Sequence, residues 1–247
     1  MFGGKWSSGK EVSVVVASHR GTGASPGYAE LFHSLPQSGV TYELIVIDNT
    51  RGDDTFAAHY QSITNKWVRC GINIGSGRGW NVGFQLVESP YVVVVNDDLI
   101  LGEGSLGVLL NFLEGEEKAA IAGPVGEMWQ VDNVHPHKTE RFYDGGPRKV
   151  DLVGGVLFMA RTKAIWNAGG IDPEFYPTGA EEAALCFKLR TMGWECWQIP
   201  GVGYTHDWHF SAQPRSFVLE AFGKRFTAGE MADRHVRLIT EKFLGKV

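Results

Sequence analysis

The sequence predicts an α/β protein built on a mostly parallel sheet flanked by helices. Three observations carry this expectation. Short β-branched apolar runs recur, VSVVVAS (12–18), YELIVID (42–48) and YVVVVND (91–97), and continuous apolar runs of this length suit strands covered on both faces. Stretches of helical character separate or follow them, at 53–65, 79–89 and 103–114. Such β-α-β alternation favours right-handed crossovers into a parallel sheet. Each run also ends in polar residues: Ser18-His19-Arg20, Asp48-Asn49 and Asn96-Asp97-Asp98. Ligands of open α/β sheets sit outside the carboxyl ends of the strands, so three polar ends on one edge predict a site there.

The remaining elements follow in order. AAIAGPV (119–125) reads as a fourth strand, and 126–148, GEMWQVDNVHPHKTERFYDGGPR, as a long irregular segment of the kind that is functional or disordered. VDLVGGVLFMA (150–160) reads as a strand, EEAALCFKLRTMG (181–193) as a helix and WECWQIPGVGYTH (194–206) as one or two strands. In IWNAGGIDPEFY, Gly169-Gly170 ends a short helix and Pro173 stiffens the following turn. The tail, 214–247, is amphipathic and helical and is expected to pack on the body of a single domain spanning 1–247.

Composition removes several function classes. The formal charge of −5 argues against a general nucleic-acid binder. No window reaches the ~18 apolar residues of a membrane span, and the opening MFGGKWSSGKEV lacks an apolar signal-peptide core. Cys70, Cys186 and Cys196 are odd in number and show no CxxC spacing. Reduced thiols and a cytoplasmic location are therefore expected rather than a disulfide framework or a zinc site.

Two phosphate motifs compete for the strand ends. GKWSSGKE (4–11) resembles a P-loop, but Glu11 replaces the required Ser or Thr and the motif precedes the first strand instead of following one. It is rejected. GTGASPG (21–27) follows the first strand as a loose form of GxGxxG, and Asp48 ends the second strand where a ribose-binding acid would sit. A nicotinamide-dependent oxidoreductase, needing no divalent metal, therefore stays open. In GINIGSGRGWNVGFQLVESPYVVVVNDD (71–98) the glycines permit close backbone approach, Arg78 offers a guanidinium fork for phosphate, and Asn81 can hold a base or ribose.

The order N-x-G, N-x-G, strand, then Asp-Asp in 71–98 resembles glycosyltransferase family 2, nucleotide-sugar-dependent enzymes of the Rossmann-like GT-A fold. The resemblance extends to SVVVASHR (13–20), ELIVIDNT (43–50), VGGVLFMARTKAIWNAGGIDPEFYPTGAEEAALCFKLRTMGW (153–194) and THDWHFS (205–211). It implies a nucleotide-sugar-binding half over about 12–125, an acceptor-binding and catalytic half over about 126–211, and a helical tail over 212–247. It also implies that Ala17, Ser18 and Asp48 line the nucleobase pocket, and that Asn73, Arg78 and Asn81 lie beside the nucleotide. The family's DxD element falls on Asn96-Asp97-Asp98, with Asp98 as metal-binding carboxylate; Asn96 stands where many members have Asp and can still bond a ribose.

A hard divalent cation, Mn²⁺ or Mg²⁺, takes oxygen ligands and stabilises charge building on a departing diphosphate. His206 matches the family's late metal-completing His, with His209 a nearby competitor. Glu181-Glu182 stands where Glu-Asp is usual, which makes Glu182 the candidate base; Ala184 replaces an acid often found two residues on. At the first turn of a helix the dipole favours carboxylate over acid, as a base requires and as acids at helix starts commonly show.

Gly154-Gly155 either lets an acceptor approach the backbone or marks a strand bend. Trp129, Phe142 and Tyr143 either stack on a sugar as a lid or anchor their loop. The resemblance implies an inverting transfer to the hydroxyl of a glycan, glycolipid or other acceptor, with a lipid-linked acceptor reached by peripheral docking. A retaining enzyme of the same fold and a non-catalytic glycan- or sugar-nucleotide-binding module remain alternatives.

Overall fold

A computed structural model describes residues 6–18, 26–50, 61–131, 136–142, 145–206 and 215–243. In chain order the first half holds β1 (Val12–Ser18), α1 (Pro26–Ser34), β2 (Tyr42–Asp48), β3 (Lys66–Arg69), α2 (Ser76–Leu86), β4 (Tyr91–Val95), β5 (Leu99–Leu101), α3 (Ser105–Gly115) and β6 (Ala119–Gly123). Next come β7 (Gly126–Val131), β8 (Pro136–Phe142), β9 (Arg148–Val150), β10 (Leu152–Val153), β11 (Leu157–Arg161) and α4 (Thr162–Ala168). The chain closes with α5 (Glu181–Thr191), β12 (Glu195–Gln198), β13 (Tyr204–His206), β14 (Val218–Ala221), β15 (Lys224–Thr227) and α6 (Ala228–Phe243).

Eight strands form the central sheet in the order β3-β2-β1-β4-β11-β6-β12-β9. The pairings β3/β2, β2/β1, β1/β4 and β6/β12 are parallel, whereas β4/β11, β11/β6 and β12/β9 are antiparallel. The expected parallel sheet is thus continuous over its first four strands and mixed beyond them. Successive side chains of a strand face opposite sides, and the apolar runs split accordingly. Val15, Ile45, Ile47, Val92 and Val94 pack with Trp80 and Phe84 of α2 and with Leu185 and Leu189 of α5. Val14, Val16, Val46, Val93 and Val95 pack on the other side with Leu31 of α1 and Leu106, Leu109 and Leu113 of α3. Both faces are covered, which is why the runs are apolar at nearly every position, the buried Ser13 and Glu43 satisfying each other across β1 and β2.

Several expectations need correction. The helix expected at 53–65 falls largely outside the described residues, and β3 was not foreseen. Segment 126–148 is not irregular where described: β7 pairs with β8 and β10 in a three-stranded sheet, and β9 joins the main sheet. Pairing satisfies backbone groups that a loop would have to leave to water. The strand expected at 150–160 breaks at Gly154-Gly155 into β10 and β11, so the glycines mark a bend. The tail begins with the β14–β15 hairpin before its helix. Gly169 ends α4 with φ +76°, as expected. No described helix is long and apolar enough to cross a membrane.

Candidate active site

Outside the carboxyl ends of β1 and β4 opens a cleft of about 1240 Å³, its mouth included.

One corner is built by β4 and the short ladder of β5 with β13. Ser18, closing β1, donates from Oγ to Asp97 Oδ2 at 2.6 Å. The Asn96 N–H donates to Val156 O at 3.1 Å. Antiparallel pairing sets His206 opposite Leu99. That register places His206 Nε2 3.0 Å from Asp98 Oδ1, with side-chain exposures of only 5% and 4%. Asn96 Nδ2 lies 3.3 Å from the same nitrogen. Two neighbouring ligands of an octahedral ion with bonds of about 2.1 Å stand about 3.0 Å apart, so the pair fits a small divalent cation. Among the described residues no group of three His, Cys, Asp or Glu is poised to hold a metal. An ion here would draw its other ligands from water or substrate oxygens, as Mg²⁺-type sites do.

Ala17, Asn49, Asn73 and Gly75 form the adjoining wall. Asn49 donates its backbone N–H to Ser18 O at 2.6 Å and its Nδ2 to Gly75 O at 3.3 Å. Its Oδ1 is buried with no hydrogen-bond partner. Gly75 has φ +81°, and a Cβ there would lie 2.0 Å from Pro177 O, so only glycine fits. Asn73 accepts from Gly75 N at 2.8 Å and donates to Glu220 O at 3.2 Å, which ties this wall to the β14–β15 hairpin.

Four of the expected nucleotide residues are placed elsewhere. Asp48 does not line the cleft; its carboxylate accepts from Arg69 Nε at 2.7 Å and from Thr50 N at 2.9 Å. Asn81 clamps Ile171 by both its amide groups, at 2.7 and 2.8 Å, outside the cleft. Arg78 does not fork a phosphate site: its guanidinium lies over the rings of Tyr176 and Phe222, 4.9 and 4.4 Å from their centroids. Ser18 supports Asp97 from behind rather than lining the cleft.

Opposite stands the start of α5. Its cap residue Ala180 is left-handed, with φ +62°. Glu181 Oε1 accepts from Thr178 Oγ1 at 3.0 Å and contacts Ser76 Oγ, while its Oε2 is buried without a hydrogen-bond partner. Glu182 is partly exposed in the cleft against Gly155. A Cβ at Gly155 would come within 3.2 Å of both Glu182 Cδ and Trp80 Cη2. Burial, then the neighbouring Glu181 charge and more weakly Glu127, push the Glu182 carboxyl up to about 8. Burial likewise raises Glu181. Glu127, 6% exposed on β7, shares this wall and accepts from the Trp129 indole at 3.0 Å. Gly154 and Gly155 both line the cleft.

The pieces come together in one cleft: a cation-sized carboxylate–imidazole pair, a polar wall beside it and a raised carboxyl at a helix start. Glycosyl transferase family 2 matches residues 13–167. The chain belongs to that family. No curated protein matches it. Among solved structures it is similar to a mannosyltransferase of Pyrobaculum calidifontis in complex with GDP-Man and Mn²⁺, at 15% identity and TM-score 0.59, over 78% of this chain and 55% of that one. It is also similar to S. aureus TarS 1-349, at 18% identity and TM-score 0.58, over 78% and 59%. GalNAc-T7 with UDP, GalNAc and Mn²⁺ shares 13% identity with TM-score 0.65, over 93% and 48%. The chain thus spans about half to three-fifths of these proteins, and the likeness fixes its fold as GT-A.

Within this family 2 chain, the sequence reading missed Trp80 and Glu127 as cleft residues, and at the Asp48-Asn49 strand end it gave the nucleobase role to Asp48 where Asn49 lines the cleft. Asn49 adjoins Asp48 at the same strand end, a signal present but assigned one residue early. The alternation in GEMWQV would have put Glu127 and Trp129 on one face had 126–131 been read as a strand. Trp129 packs edge-on against Phe187 and Phe142 lies beneath Arg148, so both anchor the segment. Tyr143, His209, His19, Arg20 and most of the 21–27 loop lie outside the described residues.

Proposed function

We propose that the protein is a metal-dependent, inverting glycosyltransferase that moves a sugar from a nucleoside-diphosphate sugar to an acceptor hydroxyl. The observation that carries this reading is that Glu182 and the Asp98–His206 pair line one cleft. None of the described residues lining that cleft is Lys or Arg, and a divalent cation would meet the charge of the diphosphate there. Bound at Asp98 and His206, Mn²⁺ or Mg²⁺ would supply Lewis-acid neutralisation of the leaving diphosphate. The GDP-Man, UDP and Mn²⁺ in the structural neighbours support the same donor chemistry.

In this reading Ala17 and Asn49 meet the nucleobase. Asn96 bonds the ribose, and Ser18 fixes Asp97 behind it. Glu182 takes the proton of the acceptor hydroxyl as its oxygen bonds the anomeric carbon. The bond to the diphosphate breaks on the opposite face, which inverts the centre. Residues 12–125 supply the donor side, and 126–206 supply the acceptor side with His206 returning to the donor.

Thermal unfolding against UDP, GDP, dTDP and NAD, each with and without Mn²⁺, tests the donor site. A ligand at ~100 times its dissociation constant adds about 2.7 kcal/mol. One nucleoside diphosphate is expected to stabilise the protein, only with Mn²⁺, and Asp98→Ala is expected to abolish the shift. Stabilisation by NAD alone, indifferent to metal, would replace this reading with the oxidoreductase.

A further inference from the structure

The acceptor end of the cleft has a charge pattern of its own. Glu127, Glu181 and Glu182 line it together, and none of the described lining residues is Lys or Arg. The nearby Arg190 is committed elsewhere, to Asp151 Oδ1 at 2.7 Å. Asp151 also accepts from Trp129 N at 2.7 Å, and the Trp129 indole holds Glu127 Oε2 at 3.0 Å. This chain of bonds fixes Glu127 in the wall. Glu181, 3% exposed, lines the same cleft and its Oε2 is buried without a hydrogen-bond partner. The buried Trp80 and Leu152 add apolar surface to the cleft.

We propose that the wall of Glu127, Glu181 and Glu182 selects an uncharged polyhydroxyl acceptor and rejects one carrying a carboxylate or phosphate on the reacting ring. This rests on the base and donor assignments above. The three carboxyls offer acceptor oxygens to neighbouring sugar hydroxyls that donate. An anionic ring would bring a like charge against Glu127, whose charge already acts on Glu182, an arrangement that specificity exploits against wrong partners. Trp80 and Leu152 suit the C–H face of a sugar ring. Glu127 is the specificity-determining member, because Glu182 is already the base and Glu181 bonds to Ser76 and Thr178.

The test pairs methyl hexosides with the corresponding methyl hexuronides and hexose 6-phosphates, using the donor found by thermal shift. Wild type is expected to favour the neutral member at least tenfold in kcat/KM. Glu127→Gln is expected to narrow that ratio several-fold through a lower KM for the anionic member. A wild-type ratio near one, or reversed, overturns the proposal. A second readout needs no turnover: ¹³C NMR titration of the Glu182 carboxyl in both proteins. Its midpoint is expected to fall in Glu127→Gln, and an unchanged midpoint removes Glu127 from the wall. If a donor binds but wild type transfers to neither class, the base assignment fails, and the titration decides the wall by itself.

Discussion

Glu182 owes its raised proton affinity to its surroundings: burial first, then the adjacent Glu181 and the facing Glu127. A midpoint of about 8 makes it a stronger base than an ordinary carboxylate but leaves roughly a tenth ionised at pH 7. The acidic limb of kcat/KM is therefore expected to rise through about pH 8 and level off above it, which a pH–rate profile reads directly. Glu182→Gln is expected to lower kcat by about 10²–10⁴-fold, with nucleotide affinity unchanged in a titration without acceptor. The same shift has a stability sign. Because the folded carboxyl holds its proton above the ordinary value of 4.5, the stability linked to it is intact below that pH and is lost as pH rises toward about 8. Glu182→Gln should consequently melt higher than wild type at pH 8.5 and alike at pH 4. Equal melting at both pH values would contradict the raised carboxyl.

At the scale of elements, the start of α5 and the β14–β15 hairpin are held in different ways. Ala180 sits left-handed at the helix cap, a conformation that costs a residue with a Cβ about 1–2 kcal/mol. Ala180→Gly is expected to stabilise the fold by about 1 kcal/mol in urea unfolding, and a loss of stability would show that the Cβ has a packing role. The hairpin is pinned where Arg78 lies over Phe222 and Tyr176, with Arg234 over Tyr176 from 4.6 Å. Arg78→Ala is expected to cost about 1–2 kcal/mol of stability while changing nucleotide affinity by no more than a few-fold. A large affinity loss with unchanged stability would instead restore Arg78 to the phosphates. The sequence presented Arg78 and Asn81 convincingly as ligand groups because both lie in a glycine-rich segment before a polar strand end. Only the three-dimensional placement of Tyr176, Phe222 and Ile171 reveals what they bond.

For the molecule as a whole, legibility followed locality. The strands β1, β2 and β4 could be read because an apolar run buried on both faces needs no distant partner to identify it. Asn96, Asp98 and Glu182 could be expected beside one another in a cleft because the strand end and helix start that carry them were visible and the resemblance pointed to both. The antiparallel insertion of β11 between β4 and β6 could not be read, since a buried strand has the same composition in either direction. Glu127 was hidden for a related reason: β7 earns its regularity from β8 and β10, pairings that no local pattern announces.

The ladder between β5 and β13 has a consequence for the life of the chain. Asp98 and His206 are brought to 3.0 Å by strands far apart in sequence. As synthesis proceeds from the amino terminus, the four parallel strands and their helices can assemble well before His206 emerges. A nascent or prematurely ended chain can therefore own most of its scaffold and lack the imidazole half of the proposed cation site. Affinity for Mn²⁺ would report that synthesis has passed residue 206 and that β13 has docked.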